Sequence, residues 1–479
     1  MEEKYQINFE KFLSFSKLDK QVHQVDGLKW CIEKETTQQL CNVTGGIVAD
    51  EMGLGKTILM LALICSRVKY SNLIILPTAL LTQWESIIKK RLGHKVLVYH
   101  GYKAKHISPE TLQKAPIVLT TYGMLYSKNS SKLINVKWGR VICDEAHHMR
   151  NNNSKKHESI LTIKYDHIWL LTGTPIQNKK KDFYSLCDIL NIPKRYYHNE
   201  DNFKNIVSEL MLRRTKKDIG LNLRGLTTEN INIDWSSSSE KTLSKKIHKL
   251  LNLGSSGFNI DELPNNDVKT KLKWIIRARQ TCIMPPLLHD KINTNDDVEI
   301  QEGMEKTSKL DDVVNKILST NKEDKKLVFC HFTDEIDLIQ NKLVNIDPSY
   351  RTNILDGRLT MKQRQNILEN PVDVLFLQIQ TGCEGLNLQE YNEIYFVSPN
   401  WNPSVEDQAI ARCHRMGQTK EVKVYNFIMN NIDEIIREND NEETKTYVML
   451  DNYIKNRQLE KRELQELVFA LQENRSEIL

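Results

Sequence analysis

No stretch of this chain stays apolar for long. The longest runs, residues 58–65 and 73–76, fall well short of the ~18 residues a bilayer-spanning helix needs, so no membrane helix is expected. The opening MEEKYQINFEKF has neither the basic start nor the apolar stretch of a secretory signal, which points to an intracellular, reducing compartment. Paired cysteines are missing too. The nine cysteines never stand as Cys-x-x-Cys, so neither a zinc module nor a disulfide framework is indicated, and most of them read as small buried hydrophobes. Charge of one sign is also in short supply. With 67 Lys and Arg against 62 Asp and Glu the net is +5, too little for a protein that binds nucleic acid by bulk charge, so any such surface must be local.

What is present is the composition of a folded protein, 40% hydrophobic and 27% charged. A length of 479 residues suggests roughly three units, or two with an insertion. Short apolar runs at 43–49, 72–76, 117–120, 141–143 and 168–171 are separated by helix-sized amphipathic pieces. A second alternation covers 327–330, 353–355, 372–377 and 393–397, closing near 428. Runs of this kind predict parallel strands with crossover helices, hence an α/β chain with two parallel-sheet lobes. The expected divisions are 1–218 for the first lobe, 219–305 for a turn-rich, partly helical connector, 306–432 for the second lobe and 433–479 for a charged helical tail packed on lobe two.

The most informative segment is Gly45-Gly-Ile-Val-Ala-Asp-Glu-Met-Gly-Leu-Gly-Lys-Thr57. An apolar strand feeds a loop containing Gly53, Leu54 and Gly55, which opens a helix at Lys56. Backbone N–H groups freed by the glycines and the new helix N-terminus suit phosphate oxygens. Lys56 would reach the β/γ-phosphates of ATP and the Thr57 hydroxyl would ligate Mg²⁺. Asp50 departs from the strict Walker A pattern, which has glycine there. Downstream, Val141-Ile-Cys-Asp-Glu-Ala-His147 is an apolar strand ending in two carboxylates. Asp144 is placed to hold Mg²⁺ and Glu145 to polarise the attacking water. In the second half, Gln408, Arg412 and Arg415 are spaced i, i+4 and i+7, one face of a helix. Guanidinium groups brought to a γ-phosphate from the opposite lobe would make hydrolysis depend on closure.

DEMGLGKT, DEAHHMRN, LTGTPIQN and EDQAIARCHRMGQ, in that order, resemble the motif series of the SWI/SNF-type helicase-like ATPases of helicase superfamily two, over about residues 18–437. The resemblance implies two RecA-like lobes of the P-loop NTPase type. It implies that Gln24 reads the adenine edge, and that Asp50 is normal for the family. Thr172-Gly-Thr-Pro175 would couple the nucleotide site to the nucleic-acid track, and Gln408, Arg412 and Arg415 would complete the site. Nucleic-acid contacts are expected at Pro77, Thr78, Thr120, Thr121, Tyr122, the Cys330-His331-Phe332 turn, Thr381, Gly382 and Trp401-Asn402. Met211-Leu-Arg-Arg-Thr-Lys-Lys217 is either a local basic patch for nucleic acid or a solvated charge run. Glu384 and Asn400 depart from the family pattern. The VEDQA and LRRTK segments look most like the repair-associated branch, but without the paired cysteines of its inserted RING finger.

The function implied is an ATP-dependent translocase on double-stranded DNA, gripping the phosphate backbone without reading sequence and acting on DNA or on DNA-bound proteins. The nucleus or a viral replication site would both suit it. Two other readings stay open: a strand-separating RNA or DNA helicase, and a non-hydrolysing nucleic-acid-binding scaffold.

Overall fold

The structure, a computed structural model, describes residues 3–68, 71–221, 223–251, 253, 265–289, 291, 298–379, 386–438 and 441–473. The chain divides into two units, Met1–Asn222 with Lys461–Leu479, and Leu223–Glu460. No described helix is long and apolar enough to cross a membrane.

The first unit is built on β1 (Gly45–Val48), β2 (Asn72–Leu76), β3 (Leu97–Tyr99), β4 (Ile117–Thr121), β5 (Lys137–Cys143), β6 (Lys164–Leu171) and β7 (Met211–Leu212). They form one parallel sheet in the order β3-β4-β2-β5-β6-β1-β7. β1 and β2 are buried along their whole length because helices cover both faces. Ile47 and Ala49 enter one core with Leu73, Val118 and Val141, while Val48 enters the other with Leu59, Leu63 and Trp169. Two glycines let β1 lie between its neighbours. At Gly45 (φ +130°) a Cβ would stand 1.8 Å from the Ile168 carbonyl oxygen, and at Gly46 one would stand 2.7 Å from that of Leu210.

A buried ionic cluster ties this sheet to helix Val22–Thr36. Glu35 accepts from Arg140 Nε at 2.6 Å and Nη2 at 2.7 Å, from Arg67 at 2.8 Å and from the Trp169 indole at 2.9 Å. Burial alone would raise the Glu35 carboxyl, yet Arg140 and its other donors hold it below its ordinary value.

The second unit carries β8 (Leu226–Ile233), β9 (Lys326–Cys330), β10 (Thr352–Leu355), β11 (Val374–Gln378), β12 (Glu393–Phe396) and β13 (Val422–Met429), again parallel, in the order β10-β11-β9-β12-β13-β8. A hairpin of β14 (Ile432–Glu438) and β15 (Asn441–Tyr447) follows.

Two regions differ from expectation. The stretch read as a connector belongs to the second unit, and its β8 pairs residue for residue with β13, Leu226 opposite Val422 to Ile233 opposite Met429. As an edge strand that is almost wholly exposed, β8 needs no apolar run, so LTTENINI shows no strand pattern. The tail is a hairpin followed by helix Leu450–Glu473, and that helix does not belong to lobe two alone. Its first turns are anchored in the second unit, where the buried Lys309 ammonium pairs with Asp451. Residues 461–473 group with the first unit, where Leu464, Val468, Phe469 and Leu471 join the core.

Candidate functional site

The strand order makes β5, β6 and β1 neighbours, so the segments leaving their carboxyl ends are gathered at one edge of the sheet, where open α/β sheets bind ligands. After β1 the loop turns through Gly53 (φ +94°) and Gly55 (φ +82°), and Gly55 caps helix Lys56–Ser66. Lys56 folds back into the loop, its Nζ donating to the Asp50 carbonyl at 2.6 Å. Burial lowers the Lys56 ammonium, opposed by the charges of Glu145, Asp50 and Asp144. Thr57 lies in the first turn of that helix.

Asp144 directly follows β5, still joined to β2 through its N–H on the Ile75 carbonyl at 2.8 Å. Its carboxylate is fixed at both oxygens. Oδ2 accepts from the indole of the buried Trp84 at 2.7 Å, and Oδ1 from the Glu145 N–H at 3.0 Å. Burial, with the neighbouring Glu145 charge, pushes the Asp144 carboxyl up to about 6, against the Trp84 hydrogen bond and Lys56. Glu145 is left-handed (φ +49°), a strained conformation for a side-chain-bearing residue, and its Oε2 lies 3.3 Å from His147 Nδ1. The turn after β6 closes the group. Thr172 Oγ1 is 3.4 Å from His147 Nδ1, and a Cβ on Gly173 would stand 3.7 Å from Lys56 Nζ. The motifs that sequence places after three strands thus touch one another.

Gln24 stands over the loop, its Nε2 donating to the Leu54 carbonyl at 2.6 Å and facing that of Gly55 at 3.4 Å. Its Oε1 is buried and has no hydrogen-bond partner among the described residues. An orphaned acceptor beside a phosphate loop fits the exocyclic amine of adenine. The Asp144 carboxylate with the Thr57 hydroxyl offers oxygen donors of the kind Mg²⁺ takes.

The expected nucleic-acid residues fare differently. Thr120, Thr121 and Tyr122 are buried with their hydroxyls committed inside the lobe: Thr120 to the Tyr99 carbonyl at 2.9 Å, Thr121 with His100 at 3.2 Å, and Tyr122 to the Asp144 carbonyl at 2.6 Å. Of the three, Tyr122 reaches the Asp144 turn. Pro77 is buried and Thr78 exposed. His331 has both ring nitrogens occupied, with Arg279 at 3.1 Å and the Ser398 carbonyl at 3.3 Å, and burial holds it well below its ordinary value, so it offers a phosphate no charge. Trp401 packs against Tyr453 in the second unit, ring centroids 6.1 Å apart. Thr381, Gly382 and Glu384 lie outside the described residues.

In the second unit Gln408 is buried on helix Pro403–Cys413 and Arg412 lies in its last turn. Arg415 is not on that helix. The chain leaves helical geometry at His414 (ψ 78°) and turns through Gly417 (φ +96°), so the i+7 spacing does not put all three on one face. Arg415 remains close enough to Arg412 that burial and this like charge both lower it. Asn400 uses its amide oxygen to accept the Asn402 N–H at 2.9 Å, the acceptor role an aspartate would fill.

Sequence reasoning missed Trp84, whose distance from Asp144 along the chain carries no motif. It also missed that Arg213, Arg214 and Lys216 turn inward. The one available signal was Asp50, a carboxylate where Walker A has glycine, which demands a cation.

A family model described as the SNF2-related domain matches residues 23–287, and one described as the helicase conserved C-terminal domain matches residues 305–417. The "Probable global transactivator" of Orgyia pseudotsugata multicapsid polyhedrosis virus is 27% identical over 449 residues, covering 87% of this chain and 87% of that protein. Chromodomain-helicase-DNA-binding protein 6 of Mus musculus is 27% identical over 467 residues, covering 85% of this chain, which spans only 16% of that much longer protein. A solved structure, the Sulfolobus solfataricus SWI2/SNF2 ATPase core in complex with dsDNA, is 25% identical, with 86% of this chain and 88% of that one covered and a TM-score of 0.42. Since the SNF2-related domain alone takes in more than half of its length, the chain belongs to the SNF2-related family of helicase-like ATPases.

Proposed function

We propose that the chain is an ATP-dependent translocase on double-stranded DNA, using Mg-ATP to remodel DNA or protein–DNA complexes. The observation that carries this reading is the convergence of Lys56, Asp144, Glu145, Gln24 and the Thr172–Pro175 turn on one edge of the first sheet. In this reading Lys56 neutralises the β/γ-phosphates, Thr57 and Asp144 hold Mg²⁺, and Glu145 polarises the attacking water. Gln24 accepts from the adenine amine. Arg412 and Arg415 are the guanidinium groups offered to the charge that develops in the transition state. The names of the chromodomain relatives include DNA binding, which supports DNA as the track. Thr78 is the exposed member of the expected contact set in lobe one. Contacts would go to the phosphate backbone, so activity is insensitive to base sequence and falls with salt.

The test is ATP hydrolysis with duplex DNA, single strands, RNA and nucleosomes. Strong stimulation by duplex DNA, abolished by Glu145→Gln, is expected. Equal stimulation by RNA alone, or robust unwinding of a tailed duplex, would favour a strand-separating helicase. An ATPase rate unchanged in Glu145→Gln would favour a scaffold.

A further inference from the structure

We propose that Arg214, with Lys216 beside it, is a clamp that positions the phosphate loop and the adenine-side helix relative to each other, and is not part of a nucleic-acid surface. The inference rests on the nucleotide reading above and assigns a role to the basic segment 211–217, which that reading leaves unused.

The segment follows the phosphate loop residue by residue. β7 pairs with β1 at Ile47–Met211 and Val48–Leu212, and the ladder continues past both strands. The Ala49 N–H donates to the Leu212 carbonyl at 2.7 Å and the Glu51 N–H to that of Arg214 at 2.9 Å. Side chains then take the remaining partners. Arg213 Nη1 donates to the Ala49 carbonyl at 2.9 Å, its guanidinium lying 4.5 Å over the Phe469 ring. Arg214 grips both carboxylate oxygens of Asp50, Nε to Oδ1 at 3.0 Å and Nη2 to Oδ2, while Nη1 donates to the His23 carbonyl. Lys216 gives its N–H to Glu51 Oε2 at 2.8 Å and its ammonium to Oε1 at 3.1 Å.

Asp50 is 1% exposed, so its charge depends on this partner. A glycine at this position, as in the strict Walker A pattern, would have no group for Arg214 to hold. The His23 carbonyl immediately precedes Gln24, which itself donates to Leu54. A Cβ on Gly27 would stand 2.9 Å from Arg214 Nη2, so the helix carrying Gln24 rests on the guanidinium. One planar fork therefore spaces the adenine-side helix from the start of the phosphate loop. The lysine ammonium cannot reproduce that geometry. Its charge is also spent: Asp50 and Glu51 neutralise Arg214 and Lys216, leaving Lys217 as the exposed cation of the run.

The experiment uses the full chain and a fluorescent ADP analogue, measuring nucleotide affinity, KM and kcat for ATP, melting temperature, and duplex DNA affinity without nucleotide. Variants are Arg214→Lys, Asp50→Asn, the two combined, Lys217→Ala and Lys56→Ala. Arg214→Lys and Asp50→Asn are each expected to weaken nucleotide binding roughly tenfold or more, raising KM more than they lower kcat. Combined, they should lose little beyond either alone, since each breaks the same pair. Lys217→Ala should leave nucleotide affinity unchanged, and duplex DNA affinity should be the same in Arg214→Lys as in wild type. The clamp is overturned if Arg214→Lys keeps wild-type nucleotide affinity and KM, whether or not its melting temperature falls, or if it loses DNA affinity instead. Additive losses in the combined variant also count against it. If Lys56→Ala binds nucleotide as well as wild type does, the nucleotide reading itself has failed.

Discussion

Trp84→Phe tests whether the carboxylate assigned to Mg²⁺ is aimed by its neighbours. Trp84 is 1% exposed, and its indole N–H is the donor to Asp144 Oδ2, with Oδ1 already taken by the Glu145 N–H. Phenylalanine keeps an aromatic ring in the same core but removes that donor. Losing a hydrogen bond to a buried charged group costs about 1.5–3 kcal/mol. The smaller ring adds about 1 kcal/mol for the space left behind. For the metal, removing a partner that orients a ligand weakens affinity about 10–100-fold. Mn²⁺ binding followed by electron paramagnetic resonance and the Mg²⁺ concentration giving half-maximal ATPase should both shift by that factor, with urea denaturation reporting the stability loss. Ile88→Val, on the same helix and fully buried, is the control: it should cost about 1 kcal/mol and leave both metal readouts unchanged. A folded Trp84→Phe protein with wild-type Mn²⁺ affinity would refute the reasoning, as would an equal metal defect in Ile88→Val.

Arg140→Ala, which leaves the buried Glu35 without its main cation, should cost about 3–5 kcal/mol in urea denaturation, and adding Glu35→Leu should recover a large part of it. Gly45→Ala would drive a Cβ into the Ile168 carbonyl of β6 at a positive φ, so the first lobe should fail to reach native circular dichroism, whereas Gly357→Ala, with nothing within 4 Å of its Cβ and no positive φ, should fold. His248 donates from Nδ1 to the Ser244 carbonyl at 2.8 Å and accepts the Leu450 N–H at Nε2 at 3.0 Å, so it is neutral, held by burial down to about 4. Unfolded histidine titrates near 6.5. Between about pH 6.5 and 4 the unfolded chain therefore binds the proton that the folded chain refuses. His248 takes stability away as pH falls through that window and none above it. In His248→Gln the deficit against wild type at pH 7 should accordingly shrink by as much as about 3 kcal/mol on going to pH 4, and a deficit independent of pH would show that the ring takes up its proton in the folded chain as it does in the unfolded one.

Fully buried strands announced themselves. β1, β2, β4, β9 and β11 are apolar on both faces because helices cover both sides of their sheets, and that requirement is written directly into composition. Phosphate-loop glycines and the strand-end carboxylates are equally legible, since their chemistry needs those residue types at those local spacings. Edge strand β8 was hidden because solvent asks nothing apolar of it, and two-residue β7 because its length gives no period to read. Sequence by itself thus determined the fold class and the family, and it singled out the residues proposed for the nucleotide. Only the tertiary structure decided that Thr120, Thr121 and Tyr122 turn inward, that Arg415 leaves its helix, that Trp84 aims Asp144 and that a basic run grips Asp50. Those outcomes depend on which strands and helices become neighbours, and pairwise contacts between residues far apart in the chain leave no periodic trace in it.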